Sequence, residues 1–286
     1  MDNSDLAKRM KEFYEKIPKI KLMRRCPVII RLDGRSFHTF TRGFQKPFDE
    51  ILIKTMQETM KYLCENIQGC VFGYTQSDEI TLILIDYQKF TSAAWFDYEV
   101  QKICSISASM ATMAFNNEFT HQVRKYKADK TDRAKLNNTF WNSYKDAYYQ
   151  VLYNAMTKGA MFDARCFNIP KEEVANLVYW RQLDASRNSI HMVGQANFSH
   201  KELQNKSCND IQDMLMTQKN INWNDLPTCQ KRGSCCVRNY MILEPYGNRM
   251  ACKDVGEHEL FIDKDIPIFR GDGREYIDRL INIGEE

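Results

Sequence analysis

Cys26-Pro27-Val28-Ile29-Ile30-Arg31-Leu32-Asp33 is the stretch on which the fold turns. It is rich in β-branched residues and predicts a strand. Val28, Ile30 and Leu32 fall on one face, and Ile29, Arg31 and Asp33 on the other. One face is therefore purely apolar, while the other carries charge towards the end of the strand. Downstream, Phe48, Ile51, Leu52, Thr55, Met56, Thr59, Met60 and Leu63 recur at helical spacing and predict a helix that buries this stripe.

Val71–Tyr74 and Ile80–Ile85 read as two further strands, with Thr75-Gln76-Ser77-Asp78 as the hairpin turn between them. Trp95–Phe119 reads as a second helix, with Val100, Ile103, Ser107, Met110, Ala111 and Ala114 on one side. Met161–Phe167 reads as a fourth strand. The order is β-α-β-β-α-β, which predicts an α+β, ferredoxin-like split βαβ unit. Two helices on one face would leave the opposite sheet face free for a ligand. The stretch from about 120 to 159 interrupts the unit. It is a basic loop (Arg124, Lys125, Lys127, Lys130, Arg133, Lys135) followed by an aromatic amphipathic helix (Tyr144, Tyr148, Tyr149). A helix begins near Pro170 and runs past Asn188, with acids in its first turn. Residues 1–204 are expected to form the catalytic domain. Residues 205–286 form a mixed C-terminal region packing on it, with strand-like pieces around Cys235–Leu243 and Leu260–Ile262.

The 286 residues are 43% apolar and 27% charged, which excludes a disordered chain and gives enough apolar material for a core without disulfides. No apolar run approaches the roughly 20 residues that cross a bilayer. Lys and Arg total 40 against 37 Asp and Glu, a net +3, so any polyanion contact must be local. Ten cysteines, Cys252 among them, show no CxxC spacing. The N-terminus from Met1 to Lys21 is charged and amphipathic, without a secretory pattern. Free thiols in the cytoplasm are the expectation.

Asp33-Gly34 ends the first strand and Asp78-Glu79 sits in the hairpin turn. In a split βαβ sheet the first strand neighbours that hairpin, so the two acidic points can meet. Converging carboxylates, helped by a backbone carbonyl, suit Mg²⁺, and a pair of such ions serves in-line phosphoryl transfer. The same residues also read as a plain Asp-Gly turn and a solvated hairpin tip. Arg31, Arg35, His38 and Lys46 lie around Asp33 and would suit a triphosphate.

Arg31-Leu32-Asp33-Gly34-Arg35-Ser36-Phe37-His38-Thr39-Phe40 resembles the signature of the tRNA(His) guanylyltransferase family and its Thg1-like relatives. Lys46-Pro47, Gly73–Glu79, Phe162–Arg165 and Trp180–Asp184 resemble four further blocks, in order and at compatible spacing. The resemblance implies a polymerase- and cyclase-type palm that extends tRNA at its 5′ end, in the 3′–5′ direction. ATP or GTP activates the 5′-monophosphate, and the 3′-hydroxyl of GTP then attacks it. It implies that Asp33 and Asp78, with the Gly34 carbonyl, hold two Mg²⁺ ions, and that Glu79 assists them. Lys46 and Asn188 would meet the triphosphate of the activating nucleotide. Arg31, Arg35, Phe37, His38, Ser77 and Lys102 would bind the nucleotide and the RNA end, and Asp49 would lie near the base. Arg124, Lys125, Lys127 and Lys130 could touch tRNA. A homotetramer is implied as well.

Ser186-Arg187-Asn188-Ser189-Ile190-His191 replaces the His-Ile-Asn-Asn-Leu-Tyr-Asn block of the eukaryotic enzymes, and Tyr98-Glu99 replaces a basic pair. The first departure points to the Thg1-like branch, which repairs truncated tRNA 5′ ends. A nucleotide cyclase and a non-catalytic RNA-binding module are the rival readings.

Overall fold

The computed structural model describes residues 4–238 and 259–282. In chain order the elements are α1 (Asp5–Met10), β1 (Val28–Gly34), α2 (Phe37–Phe40), α3 (Glu50–Asn66), β2 (Cys70–Gln76), β3 (Glu79–Leu84), α4 (Val100–Leu136) and α5 (Ala147–Lys158). Then come β4 (Phe162–Asn168), α6 (Lys171–Asn197), α7 (His200–Leu203), α8 (Cys208–Lys219), α9 (Thr228–Arg232), β5 (Ser234–Arg238), β6 (Leu260–Asp263) and α10 (Glu275–Ile281). The strands form one sheet in the order β4-β1-β3-β2-β5-β6, and every neighbouring pair is antiparallel. The protein is thus mixed α and β on an antiparallel sheet. β5 joins the edge of β2, so the C-terminal region extends the sheet rather than standing apart.

Alternation in β1 sorts the core into two layers. Val28, Ile30 and Leu32 join Ile80, Leu82 and Leu84 beneath α3, α4 and α5. Ile29 faces the other way, with Phe72, Tyr74 and Ile83. That second face is not open, contrary to the sequence expectation. Val174, Ala175 and Val178 of α6, with Tyr276, Ile277 and Leu280 of α10, bury it. Apolar side chains on both faces of β2 and β3 require such a cover, since exposing them would cost about 25 cal/mol per Å².

Three further expectations need correction. Trp95–Tyr98 is a 3-10 turn with positive φ at Phe96 and Asp97, and α4 starts only at Val100. The helix then runs 37 residues without a Gly or Pro, to Leu136. The basic segment is therefore its second half and not a loop. α5 folds back along it and buries Tyr149, Leu152 and Ala155, as the packing reading required. The hairpin turn is confined to Ser77 and Asp78, because β2 continues to Gln76. In the C-terminal stretch, residues 239–243 of the expected strand lie outside the described residues, as does Cys252. The nine described cysteines are free thiols. Among the described residues no helix is long and apolar enough to cross a membrane.

Candidate active site

Sheet register brings the acidic residues together. Asp33, next to last in β1, stands opposite Glu79 of β3 on one side and Asp163 of β4 on the other. The Gly34 amide donates to the Asp78 carbonyl oxygen at 3.1 Å, which ties the end of β1 to the β2–β3 turn. Ser77 takes φ 50° in that turn and its hydroxyl donates to the Asp78 carboxylate at 3.0 Å. Gly34 has no space for a side chain: a Cβ there would lie 2.2 Å from the Phe37 ring.

The site contains two kinds of carboxylate. Glu79 is neutralised by Arg31 at 3.2 Å and by Arg181, which also holds Asp184 at 2.8 Å. Both guanidiniums lie against the Trp180 ring, 5.3 and 4.6 Å from its centre. Burial pulls the Arg31 guanidinium below its usual range, against the opposing pull of Glu79. Asp33 and Asp78, in contrast, have no Lys or Arg ion-pair partner among the described residues. Burial raises the Asp33 carboxyl above the ordinary range, and the charges of Glu79 and Asp163 raise it further, against the smaller opposing pull of Arg165 and Arg31. Burial also raises Asp78, with Asp33 and Glu79 adding to the shift and the Ser77 hydrogen bond opposing it. Desolvated carboxylates that repel one another and have no Lys or Arg ion-pair partner are a fitting donor set for a hard metal ion. Among the described residues no three His, Cys, Asp or Glu side chains cluster as a metal-binding group.

Beside these carboxylates opens a cavity of about 480 Å³, lined by Gly34, His38, Gln45, Lys46, Ser77, Asp78 and Gln195 among others. α2 and the loop after it carry His38 and Lys46 to its wall. A smaller cavity of about 90 Å³ adjoins it, with Phe48, Leu52, Ile53, Met56 and Met192 as apolar wall and Gln57, Gln76 and Asn188 as amides. Asp49 lines both, yet its oxygens serve the scaffold. They cap α3 at Ile51 and Leu52 and accept from the Gln45 amide and from the Tyr148 hydroxyl at 2.7 Å. Phe37 lines the larger cavity with a ring that packs on Phe40, Phe115 and Phe162.

Of the residues singled out from sequence, Gly34, Phe37, His38, Lys46, Asp49, Ser77 and Asp78 share the larger cavity, and Asn188 lines the smaller one. Arg31, Asp33 and Glu79 stand at the adjoining sheet end. Arg35 is exposed there, held by its backbone to Met161. Lys102 is not brought to them. It pairs with Glu99 at 3.7 Å, ten residues before Thr112, the α4 residue that bonds Phe162 at the site end. That separation is about 15 Å along the helix. Arg124, Lys125, Lys127 and Lys130 lie further along α4, on its solvent side, with Lys127 over Tyr149 and Lys130 over Tyr126. Sequence reasoning assigned no role to Arg181, Asp163 or Arg165. The signal was present, since all three lie inside the matched blocks.

Comparison with known proteins finds relatives of this chain in sequence and in fold. A profile of the family described as tRNAHis guanylyltransferase matches residues 7–170. The solved structure of a bacterial tRNA(His) guanylyltransferase (Thg1)-like protein in complex with ATP is 41% identical. It superposes with a TM-score of 0.75 over 97% of this chain and 100% of that one. A second bacterial Thg1-like structure, in complex with GTP, gives 37% identity and a TM-score of 0.70 over 98% and 100% of the two chains. The tRNA(His) guanylyltransferase of Saccharomyces cerevisiae is 23% identical over 236 residues, 78% of this chain and 86% of that protein. The matched profile covers the strand ending in Asp33 and the hairpin carrying Asp78, and the bacterial likeness spans nearly the whole chain, so this chain belongs to the tRNA(His) guanylyltransferase family.

Proposed function

We propose that the chain is a tRNA 5′-end nucleotidyltransferase working in the 3′–5′ direction, on a ferredoxin-like palm made of β1, α3, β2, β3, α4 and β4. Residues 1–204 carry the reacting groups and 205–286 complete the sheet and the cavity walls. The observation that carries the reading is that Asp33 and Asp78, both desolvated and neither ion-paired to a Lys or Arg among the described residues, stand at the same sheet end, where Asp78 lines a cavity walled by Lys46 and His38.

Asp33, Asp78 and the Gly34 carbonyl would hold two Mg²⁺ ions. Bound there, the ions would neutralise charge on the transferred phosphoryl group and its leaving pyrophosphate. Lys46 and His38 would contact the triphosphate. The apolar wall around Leu52 and Met56 would take the base, with Asn188 and Gln57 at its edge. Arg31 and Arg181 hold Glu79 beside the metal carboxylates and offset part of its charge. In the first transfer an oxygen of the tRNA 5′-phosphate attacks the α-phosphorus of ATP or GTP and pyrophosphate leaves. In the second the 3′-hydroxyl of GTP attacks the activated 5′-phosphorus, its proton is lost, and the nucleoside monophosphate leaves. Positioning and charge neutralisation supply the catalysis.

Repair of truncated tRNA is favoured over tagging of tRNA(His). Ser186 stands where the eukaryotic block has histidine, and its hydroxyl is turned back on its own helix, donating to the Gln182 carbonyl at 3.0 Å. The Thg1-like bacterial structures are also far more similar than the yeast enzyme. Incubation with 5′-monophosphorylated tRNA lacking its first nucleotide, alongside full-length tRNA(His), tests this. Extension of the truncated substrate alone is expected, whereas extension of full-length tRNA(His) alone would reverse the assignment. The exposed basic turns of α4 are proposed to meet tRNA phosphates, in a cytoplasmic homotetramer.

A further inference from the structure

Beyond Lys46, on the side away from Asp78, lies another cavity of about 610 Å³, lined by Lys46, His191, Gln195, Phe198, His200, Leu203, Gln204 and Asn205. It shares Lys46 and Gln195 with the cavity beside Asp78, so the two adjoin. Each lies within the range of about 300–1,000 Å³ typical of one bound small molecule. No acidic residue lines the further cavity. Neither Lys46 nor His200 has an ion-pair partner among the described residues, and His191 contacts only the Cys208 thiol, at 3.8 Å. Lys219 adds a cation over the Phe198 ring, 5.2 Å from its centre. The nearby Glu202 is occupied as the capping partner of Ser199. The floor is apolar, from Phe198 and Leu203, and three amides face it. An amine and imidazole nitrogens beside an apolar floor and amide groups match a nucleotide unit: phosphate, flat base and hydrogen-bonding edge.

We infer that this cavity is a second nucleotide subsite, in which Lys46, His191 and His200 bind a phosphate on a path leading to Asp33 and Asp78. The inference rests on the nucleotidyltransferase reading for its ligand class. The phosphate could come from the RNA strand or from a free nucleoside triphosphate, and the test separates these sources.

The test uses the full chain with His200→Gln and with His191→Gln/His200→Gln. Two quantities are read: retention of 5′-monophosphorylated tRNA lacking its first nucleotide, and the KM for ATP. The double variant is expected to weaken tRNA retention about tenfold, with KM for ATP within about twofold of wild type. A rise in the KM for ATP with tRNA retention unchanged would assign the same subsite to the triphosphate. Unchanged values for both, in variants that melt like wild type, would overturn the inference. His200→Lys, which places a cation at this exposed position, is expected to bind at least as well as wild type, so a loss there equal to that of His200→Gln would also overturn it. Wild-type chain that retains tRNA through these histidines yet adds no nucleotide would sink the transferase reading and leave the subsite standing.

Discussion

Gly34 shows how narrowly the site is built. Its place directly over the Phe37 ring leaves no space for a methyl group, so Gly34→Ala must push either the ring or the end of β1. Overpacking of this kind costs about 1–3 kcal/mol. A lower melting temperature and a loss of nucleotide addition are expected together, measured by thermal denaturation and product length. The carboxyls make an opposite prediction for stability. The fold raises Asp33 and Asp78 above their unfolded values, so it favours their neutral forms. Their stabilising contribution is present below the ordinary aspartate range and is lost as pH rises through the raised values. At neutral pH without metal, Asp78→Asn is therefore expected to melt higher than wild type while losing activity. A lower melting temperature would contradict the electrostatic account. Both aspartates were legible in sequence, because each sits at a strand end beside a turn residue. Arg181, Asp163 and Arg165 lay inside the matched blocks, but only the strand register sets Asp163 opposite Asp33, and only the crossing of α6 brings Arg181 to Glu79.

At the scale of elements, sequence periodicity recovered β1–β4, α3 and the start of α6 to within a few residues. The length of α4 was missed. Its apolar stripe ends near Val123, because from there only α5 packs against it. The lack of any Gly or Pro through Leu136 was the better guide. The cover over the second sheet face was also missed, since α10 was not read from the sequence and the face on which α6 docks is a long-range contact. Leu152, fully buried beneath α5, tests whether this helix belongs to the core. Leu152→Ala is expected to cost about 2–5 kcal/mol in denaturant unfolding. Reversing Arg124, Lys125 and Lys127 to Glu is expected to weaken tRNA binding and flatten its salt dependence, by about 0.7–0.9 in log–log slope for each phosphate no longer neutralised. An unchanged slope removes α4 from the RNA interface.

At the scale of the whole molecule, the N-terminal segment presents Leu6, Met10, Phe13, Tyr14, Ile17 and Ile20 to solvent, each between 42% and 74% exposed. Such a run is unusual for a surface element and supports the proposed assembly of copies. Light scattering on the eluting protein is expected to give a tetramer, and Phe13→Glu with Ile17→Glu to reduce its mass. A monomer at all concentrations would remove the assembly from the account.

The claim underlying all of this is that Asp33 and Asp78 act together on a metal-bound triphosphate. The most direct measurement is single-turnover, Mg²⁺-dependent addition to 5′-monophosphorylated tRNA lacking its first nucleotide, by wild type, Asp33→Asn and Asp78→Asn. Each variant should lose at least about a hundredfold in rate while retaining tRNA as wild type does. Addition near the wild-type rate in both variants would contradict it.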